Sequence, residues 1–405
     1  MLDPLPAAAT FSKDSRMWGA DFTPKCLLRG EGARVLGDDE HWYTDWVGGL
    51  GANLLGYGHH DFMYRVSNQV LLGIAYSLPH RLERQVAEKL VRLLGKRVLG
   101  WSPEGLQVRF GKTGSDVTEM AVRLARAVTG KFHLVRFGYA GWHSWTVSTT
   151  PPAWGIIPEE ANYVHEFTFN DRASVEKWGD LSIAAVILEQ PPQEPEPGWY
   201  DFLHEFCLRK DALLILDEIV TGFRYALGGA AEYYKVQPDL ACYGKALGNG
   251  LPISALVGRR EYMAWFGRED PVFCSGTHFG EAVGLAAADA VLDFYGETER
   301  QHIWQVGQEL LDGLRAAGWT VAGNAPRSLM QFTSDAERAF FIVSMRNRGI
   351  LMNRPNFPNL AHTDADVRLT TAVALDVRKQ VDALGPDGMA QRMAGKLPRV
   401  LFRNR

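Results

Sequence analysis

The sequence predicts an α/β fold in which helices cover a mostly parallel sheet. From about Leu106 to Gly258, short apolar runs alternate with helical patterns, which is typical of parallel strands joined by crossover helices. Polar residues stand where these runs end, among them Thr113, Glu189 and Asp217. Because ligands bind outside the carboxyl ends of the strands in such sheets, the pattern places a small-molecule site at one sheet edge.

The individual elements can be assigned in chain order from their apolar spacing. A helix is predicted from Ser115 to Val128, because its apolar residues recur about every three or four positions. The strands are short, mostly apolar runs bounded by polar residues or glycine. They are predicted at 106–110, 132–137, 184–189, 212–217, about 240–243 and 254–258.

The chain is predicted to contain a large domain and a smaller one, since 405 residues are enough for two. After about Thr298 the pattern changes to helical segments, short strands and an amphipathic stretch near 364–382, which indicates a smaller α+β domain. The strand-like segment at 41–49 is expected to pack with it. The predicted divisions are an N-terminal segment at 1–50, a large domain at 51–298 and a small C-terminal domain at 299–405.

The composition favours a protein that acts on small molecules. Hydrophobic residues make up 46% of the chain and charged residues 22%, and a net charge of -4 supplies no basic surface for nucleic acid or an anionic membrane. No stretch approaches the roughly 18 apolar residues of a membrane span. The four cysteines lie far apart without metal-binding spacing, and the N terminus lacks a signal-peptide pattern. We therefore predict a cytoplasmic protein without a metal site.

A lysine and an aspartate at two of the strand ends predict a pyridoxal phosphate (PLP) site. Lys245 follows the strand near 240–243 within a glycine-flanked stretch, and Asp217 closes the run at 212–217. A lysine that forms a Schiff base needs free space and a partly desolvated setting. A buried carboxylate needs a cationic partner, which a protonated pyridine nitrogen supplies. A surface lysine and a helix-capping aspartate are the alternatives for either residue taken alone.

The turn at 112–115 is a candidate for binding the phosphate of such a cofactor. Thr113, Gly114 and Ser115 lie between a predicted strand and a predicted helix, where free backbone N–H groups and the helix dipole favour an anion. Two alternatives stay open. These residues could cap the helix without a ligand, or the Gly-Lys-Thr could belong to a nucleotide triphosphatase loop, although its glycines are spaced too widely for that motif.

The segment 214–263, LILDEIVTGFRYALGGAAEYYKVQPDLACYGKALGNGLPISALVGRREYM, closely resembles the class III aminotransferases, which have PLP fold type I. Within that class it is most similar to the glutamate-1-semialdehyde 2,1-aminomutase branch. The resemblance implies a large domain with a mostly parallel seven-stranded sheet, a smaller α+β domain, PLP as cofactor, and a small-molecule amino donor and carbonyl acceptor. It extends over nearly the whole chain through weaker segments at 75–90, 112–130, 275–292 and 361–367.

The resemblance implies a role for each residue of the predicted cofactor site. Lys245 would form the Schiff base with PLP and later move the proton between substrate and cofactor. Asp217 would keep the pyridine nitrogen protonated, so that the ring accepts electrons. The phosphate would be held by Thr113, Gly114 and Ser115.

Further residues complete the cofactor site by the same resemblance. Tyr139 would stack on one face of the ring, and Val220 would pack on the other. Glu189 would be an acid near the cofactor. Thr277 would reach the phosphate of the neighbouring subunit, which implies a homodimer with sites at the interface.

The chain departs from the family at several positions around the site. Lys112 replaces the usual asparagine, and Glu281 stands where Gly-Asn-Pro is common. Ala140 replaces a histidine that commonly follows the stacking aromatic. In the substrate pocket of the aminomutases, Gly49 and Leu50 replace a serine and a tryptophan. These changes leave the main cofactor residues in place but alter the expected substrate pocket.

Substrate contacts are predicted from the altered positions and their neighbours. The loop at 353–363 lacks the glutamate typical of the aminomutases, and Arg354 near its place either contacts the acceptor or is a surface residue. Leu50 leaves room for an acceptor larger than a C5 semialdehyde, such as an amino-sugar or natural-product precursor. The candidate substrate residues are Gly49, Leu50, His80, Trp142 and Arg354.

Three functions are compatible with the sequence. The first is an aminotransferase that moves an amino group from a donor to an aldehyde or ketone acceptor. The second is an aminomutase of the glutamate-1-semialdehyde type, which moves the amino group within one substrate. The third is a protein of this fold that has lost catalysis, which the presence of both Lys245 and Asp217 disfavours.

Overall fold

The structure is a computed structural model that describes residues 8–19, 22–150 and 153–398. The chain divides into two compact units, which we call the terminal unit (Met1–His59 and Gln301–Arg405) and the middle unit (His60–Arg300). The domain boundaries predicted after residues 50 and 298 stay predictions, and the parts of those domains at 1–7, 20–21, 151–152 and 399–405 lie outside the described residues.

Strands and helices alternate through much of the chain. The strands are β1 (Leu27–Glu31), β2 (Arg34–Gly37), β3 (Trp42–Asp45), β4 (Leu106–Gly111), β5 (His133–Phe137), β6 (Val164–Glu166), β7 (Ile183–Glu189), β8 (Leu213–Glu218), β9 (Leu240–Tyr243), β10 (Ser254–Arg259), β11 (Thr320–Asn324), β12 (Arg327–Gln331), β13 (Ile350–Leu351) and β14 (Pro355–Asn356). The helices are α1 (Gly48–Gly51), α2 (His60–Leu72), α3 (Arg81–Leu94), α4 (Gly114–Thr129), α5 (Ser144–Val147), α6 (Arg172–Glu176), α7 (Trp199–Lys210), α8 (Ala230–Tyr233), α9 (Arg260–Met263), α10 (Ala282–Phe294), α11 (Glu297–Ala316), α12 (Asp335–Arg346) and α13 (Asp364–Arg392).

A seven-stranded sheet runs through the described part of the middle unit in the order β4-β10-β9-β8-β7-β5-β6. The pairs from β9 to β6 are parallel, whereas β10 runs antiparallel to both β9 and β4. The prediction of an α/β fold with a mostly parallel sheet is therefore confirmed, and each predicted strand is present. The edge strand β6 was not predicted, because its short sequence Val-His-Glu contains no apolar run.

The middle strands of this sheet are buried along their whole length. Every residue of β7 and β8 is buried, which explains why both read as continuous apolar runs rather than as alternating patterns. Helix α4 covers one face and buries its apolar stripe, including Val117 and Leu124. Because polar groups are costly inside such a layer, the carboxylates at the ends of β7 and β8 require a specific explanation.

The terminal unit combines segments from both ends of the chain. It contains a four-stranded sheet in the order β1-β2-β3-β13 and a three-stranded sheet in the order β11-β12-β14. Trp46 is fully buried and donates from Nε1 to Thr370 Oγ1 at 2.9 Å, so it joins the two segments. None of the helices among the described residues is long and apolar enough to cross a membrane. The cytoplasmic location stays a prediction.

The strand predicted through residue 49 ends earlier, and a left-handed turn follows it. β3 stops at Asp45, and α1 is a single turn whose residues all have positive φ, from 53° at Gly48 to 82° at Gly51. Glycine adopts this conformation freely, whereas an L-residue in it costs about 1–2 kcal/mol. Three glycines therefore make the turn possible, and Leu50, at φ 64°, is the residue that carries the strain.

Candidate active site

Three strand ends bring polar side chains to one edge of the sheet. Glu189 and Asp217 are register partners on the parallel strands β7 and β8, and both are buried. Gly138 follows β5 directly and packs against Glu189, since a Cβ on Gly138 would lie 2.8 Å from the Glu189 Cβ. Tyr139 comes next and is 49% exposed. The carboxyl ends of β5, β7 and β8 therefore present Tyr139, Glu189 and Asp217 side by side.

Lys245 reaches the same edge from β9, the parallel neighbour of β8. It is partly buried and begins a 3₁₀ turn, Lys245–Gly248. Its φ of 42° lies in the left-handed region, which a lysine adopts only when the surrounding structure holds it there. Backbone strain of this kind is concentrated at functional sites. The fold thus holds the lysine at a fixed place near Asp217 at some conformational cost.

The environment of Asp217 raises its pKa to about 7, from an ordinary value of 3.8. The main cause is burial, which disfavours the charged carboxylate, and the negative charge of Glu189 adds to it. The N–H of Ile219, which donates to Asp217 Oδ1 at 3.0 Å, and the positive charge of Lys245 act in the opposite direction. A buried carboxylate with a raised pKa is stabilised by an additional cation, and this requirement fits the protonated nitrogen of a pyridine ring.

The phosphate-binding candidate combines a helix cap with the backbone N–H groups of the first helical turn. Thr113 caps α4: its hydroxyl oxygen accepts from the Asp116 N–H at 3.3 Å, and Asp116 Oδ2 accepts from the Thr113 N–H at 2.7 Å. The capping alternative is therefore present in the structure. It leaves the N–H groups of Gly114 and Ser115, which have no partner within the helix because they belong to its first turn. Such groups favour an anion, so the cap and a phosphate site are compatible.

The loop after Tyr139 docks on this helix end. The Ser115 hydroxyl oxygen accepts from the Trp142 N–H at 3.2 Å, which leaves its own proton available for donation. Gly141 has a φ of 108°, and a Cβ there would lie 2.6 Å from Ser115 Oγ. A glycine is thus required at position 141 for the close approach that brings Tyr139 and the turn at 113–115 together.

Ile219 joins the phosphate turn to the lysine segment and was missed by the sequence reasoning. A Cβ on Gly114 would lie 3.0 Å from Ile219, and a Cβ on Gly244 would lie 2.9 Å from it. The glycine beside Lys245 therefore accommodates Ile219. Val220 follows it in a turn and is partly buried. No local signal distinguishes Ile219 from the other apolar residues of its segment, because its role depends on contacts across the sheet.

Thr277 and His80 line a cavity of the middle unit with a volume of about 320 Å³. Thr277 is exposed. His80 caps α3, because its Nδ1 accepts from the Leu82 N–H at 3.4 Å, and its ring stacks on Tyr76 with centroids 5.1 Å apart. These contacts give His80 a structural role. Its predicted contact with substrate stays a prediction.

The other candidate substrate residues are divided between the two units. Trp142 is 68% exposed and lines a cavity of about 810 Å³. Gly49 and Leu50 belong to the left-handed turn of the terminal unit. Arg354, in the same unit, is exposed, and its carbonyl accepts from the Met330 N–H at 2.7 Å. Their roles as substrate contacts stay predictions.

Comparison with known proteins identifies a family, related sequences and similar structures. The family model for the class III aminotransferases matches residues 18–325. The chain is 34% identical over 288 residues to a 3-aminobutyryl-CoA aminotransferase from Cloacimonas acidaminovorans (strain Evry), a match that covers 68% of this chain and 66% of that protein. It is 30% identical over 400 residues to a glutamate-1-semialdehyde 2,1-aminomutase from Desulforapulum autotrophicum, covering 88% and 91% respectively. A solved structure of the FumI protein from Sphingopyxis sp. MTA144, in its PLP internal aldimine form, has a TM-score of 0.83 at 26% identity and covers 95% of this chain and 94% of its own.

Proposed function

This chain belongs to the class III aminotransferases, and we propose that it moves an amino group from a donor to an aldehyde or ketone acceptor, with PLP bound at Lys245 and Asp217. The observation that supports these two residues is the burial of Asp217 at the sheet edge that also presents Lys245, because this burial raises the pKa of the carboxyl. A cationic ring nitrogen satisfies this carboxylate, and the amine lies at the same sheet edge. The residues present therefore fit the cofactor of the family.

Each residue of the edge has a chemical task in this proposal. Bound PLP supplies a pyridinium ring that accepts the electron pair left on the substrate carbon when its proton departs. Asp217 holds the proton on the ring nitrogen, because its carboxylate is buried and has few other ways to be stabilised. Lys245 removes and returns the proton at the substrate carbon. The N–H groups of Gly114 and Ser115, with the Ser115 hydroxyl, bind the phosphate.

Three further residues shape the space around the ring. Tyr139 is half exposed and follows Gly138, which packs against Glu189, and we assign its ring to stacking on one side of the cofactor. Val220 follows Ile219 directly and supplies the apolar contact on the other side. We assign Glu189 to the electrostatic environment of Asp217, because its charge raises the pKa of that neighbour.

We also propose that the working form is a homodimer. Thr277 is exposed and lines the 320 Å³ cavity together with Tyr76 and Leu78, so it lies on the same surface as the segment that follows α2. Leu71, near the end of α2, is 85% exposed. A group of large exposed apolar residues in one region favours a protein interface. The large apolar residues exposed in this region are Met63, Tyr64, Val70, Leu71, Leu72, Ile74, Tyr76 and Leu78.

Mixing two variants tests whether Thr277 serves the site of the partner subunit. Thr277→Ala and Lys245→Ala each impair the sites of their own homodimers. If Thr277 acts across the interface, a mixed dimer contains one site with both residues intact, so the mixture should be more active than the sum of its components. Activity equal to that sum, in a mixture shown by mass to contain mixed dimers, would contradict the proposal.

The aminomutase is the second candidate function, because a protein of that name matches 88% of this chain. The two functions differ in their need for an external donor. We expect turnover to require an amino acid donor and a separate carbonyl acceptor, with sugar aldehydes and ketones as the first acceptors to screen because Leu50 leaves room in the predicted pocket. Conversion of glutamate-1-semialdehyde alone by the holoenzyme, without any donor, would instead establish the aminomutase.

A further inference from the structure

A partly buried ion pair joins Lys112 and Glu281, two residues that the sequence analysis singled out as unusual for the family it resembles. Lys112 Nζ lies 2.5 Å from Glu281 Oε1, and the two side chains are only 17% and 8% exposed. The positions are 169 residues apart in the sequence. A buried pair requires good geometry and further hydrogen bonds to offset its desolvation, so its presence beside the cofactor site calls for an explanation.

Glu281 is anchored to the start of helix α10. Its Oε2 accepts from the Val283 N–H at 2.7 Å, and its Oε1 accepts from the Gly284 N–H at 2.7 Å. The helix dipole favours a negative charge at this place. Helix α10 packs in turn against the Lys245–Gly248 turn. Glu281 is therefore fixed to the element that supports the lysine segment.

Lys112 belongs to the phosphate turn at the other end of the pair. It immediately precedes Thr113, and its own N–H donates at 3.1 Å to Asp116 Oδ2, the acid of the capping box of α4. The backbone of Lys112 is thus hydrogen-bonded to the first turn of α4, while its side chain contacts Glu281 at the start of α10. The pair connects the phosphate-binding end of the site to the lysine end by a route outside the sheet.

We propose that the Lys112–Glu281 ion pair positions the backbone N–H groups of Gly114 and Ser115 for the cofactor phosphate. The inference rests on the proposed PLP site. If Glu281 loses its charge, Lys112 is left as a mostly buried cation without its carboxylate, and the turn must shift to expose it. Because the Lys112 backbone is hydrogen-bonded into the cap, this shift displaces the phosphate-binding groups. Lys112 and Glu281 are therefore positioning residues.

The test compares the binding of PLP with that of pyridoxal, which lacks the phosphate. Apparent Kd values for both are measured with the protein after cofactor removal, for Glu281→Gln, Lys112→Met and the double variant. Glu281→Gln should weaken PLP binding by about tenfold and leave pyridoxal binding unchanged. Lys112→Met should have a smaller effect, because Glu281 keeps its two backbone N–H donors. The double variant should bind PLP more tightly than Glu281→Gln alone, because neither charge is then left without its partner.

Asp293, near the other end of α10, provides a matched control. Its carboxylate pairs with Lys89 Nζ at 2.6 Å, so Asp293→Asn also breaks an ion pair of this helix. We expect this variant to keep the ratio of the two Kd values.

The possible outcomes separate the inference from the function on which it rests. If the unaltered protein binds PLP no better than pyridoxal, the proposed phosphate site itself is wrong. If it prefers PLP and every variant keeps that preference, or loses both ligands equally, the pair merely supports the fold and the inference is overturned. If Glu281→Gln fails to fold, the Lys112→Met variant provides the test. An unchanged ratio of its Kd values for PLP and pyridoxal would overturn the inference.

Discussion

The Lys245→Ala protein is expected to fold and to lose amino transfer by about 10³-fold or more. In the proposed function, the side chain removed is the amine that would bond to PLP and move the proton at the substrate carbon. It lies at the carboxyl edge of the sheet, after β9 and close enough for its charge to lower the pKa of Asp217. The alanine variant should still bind PLP, because the phosphate turn and Asp217 remain.

Absorbance and covalent labelling check this expectation. The unaltered protein should absorb at roughly 410–430 nm, as expected of PLP bonded to a lysine, and the variant should not. Reduction with borohydride, followed by mass analysis of peptides, should place the label on Lys245. Lys96→Ala is the control, since Lys96 is an exposed lysine of the same unit. A Lys245→Ala protein that retains its biological function would instead favour the hypothesis that catalysis has been lost.

Asp217→Asn is expected to lower turnover by about 10²–10³-fold while the protein stays folded. Asparagine has nearly the same shape but no charge, so it cannot hold the proton on the ring nitrogen. Removing a buried carboxylate whose pKa is raised to about 7 also removes a desolvation cost, so the thermal stability of the cofactor-free variant should not fall. For Asp217→Asn we therefore expect a lower rate of turnover in an activity assay and an unchanged or higher Tm in a thermal melt.

The neighbouring acid, Glu218, is a matched control for this substitution. It lies next to Asp217 on β8, so its side chain points to the opposite face of the sheet. There it accepts from the N–H groups of Ala230 at 2.9 Å and Ala231 at 2.7 Å, at the start of α8. Glu218→Gln should therefore lower Tm and keep the visible absorbance and most of the activity. If Glu218→Gln abolished activity and Asp217→Asn only lowered Tm, the acid that serves the cofactor would be Glu218 rather than Asp217.

The same two acids make the stability of the cofactor-free protein depend on pH. Burial raises the pKa of each to about 7, from ordinary values of 3.8 for Asp217 and 4.5 for Glu218. Between about pH 4 and 7 the folded chain therefore retains protons that the unfolded chain has released, and the free energy of unfolding falls as the pH rises. Asp217→Asn should make Tm less dependent on pH in this range. An unchanged slope would contradict the raised pKa.

Much of the fold and the main chemistry of the site could be predicted from local sequence. The apolar runs that became β7 and β8 contain polar residues only at their ends, because a strand covered on both faces tolerates a carboxylate only where it has a partner. This pattern identified Glu189 and Asp217, and the glycine-flanked Lys245 followed from the chemistry of its amine. The pattern failed where it was weak, at β6 and at the end of β3.

The tertiary structure decided how these residues meet. Local periodicity in the sequence was enough to predict which side chains stand at the strand ends. Strand order, including the antiparallel β10 between β4 and β9, determined that Ile219 packs beside Gly114 and Gly244. It also allowed Lys112 to pair with Glu281, which the sequence showed only as two unrelated departures. Contacts between distant segments depend on the whole packing of the chain, and for that reason local patterns did not reveal them.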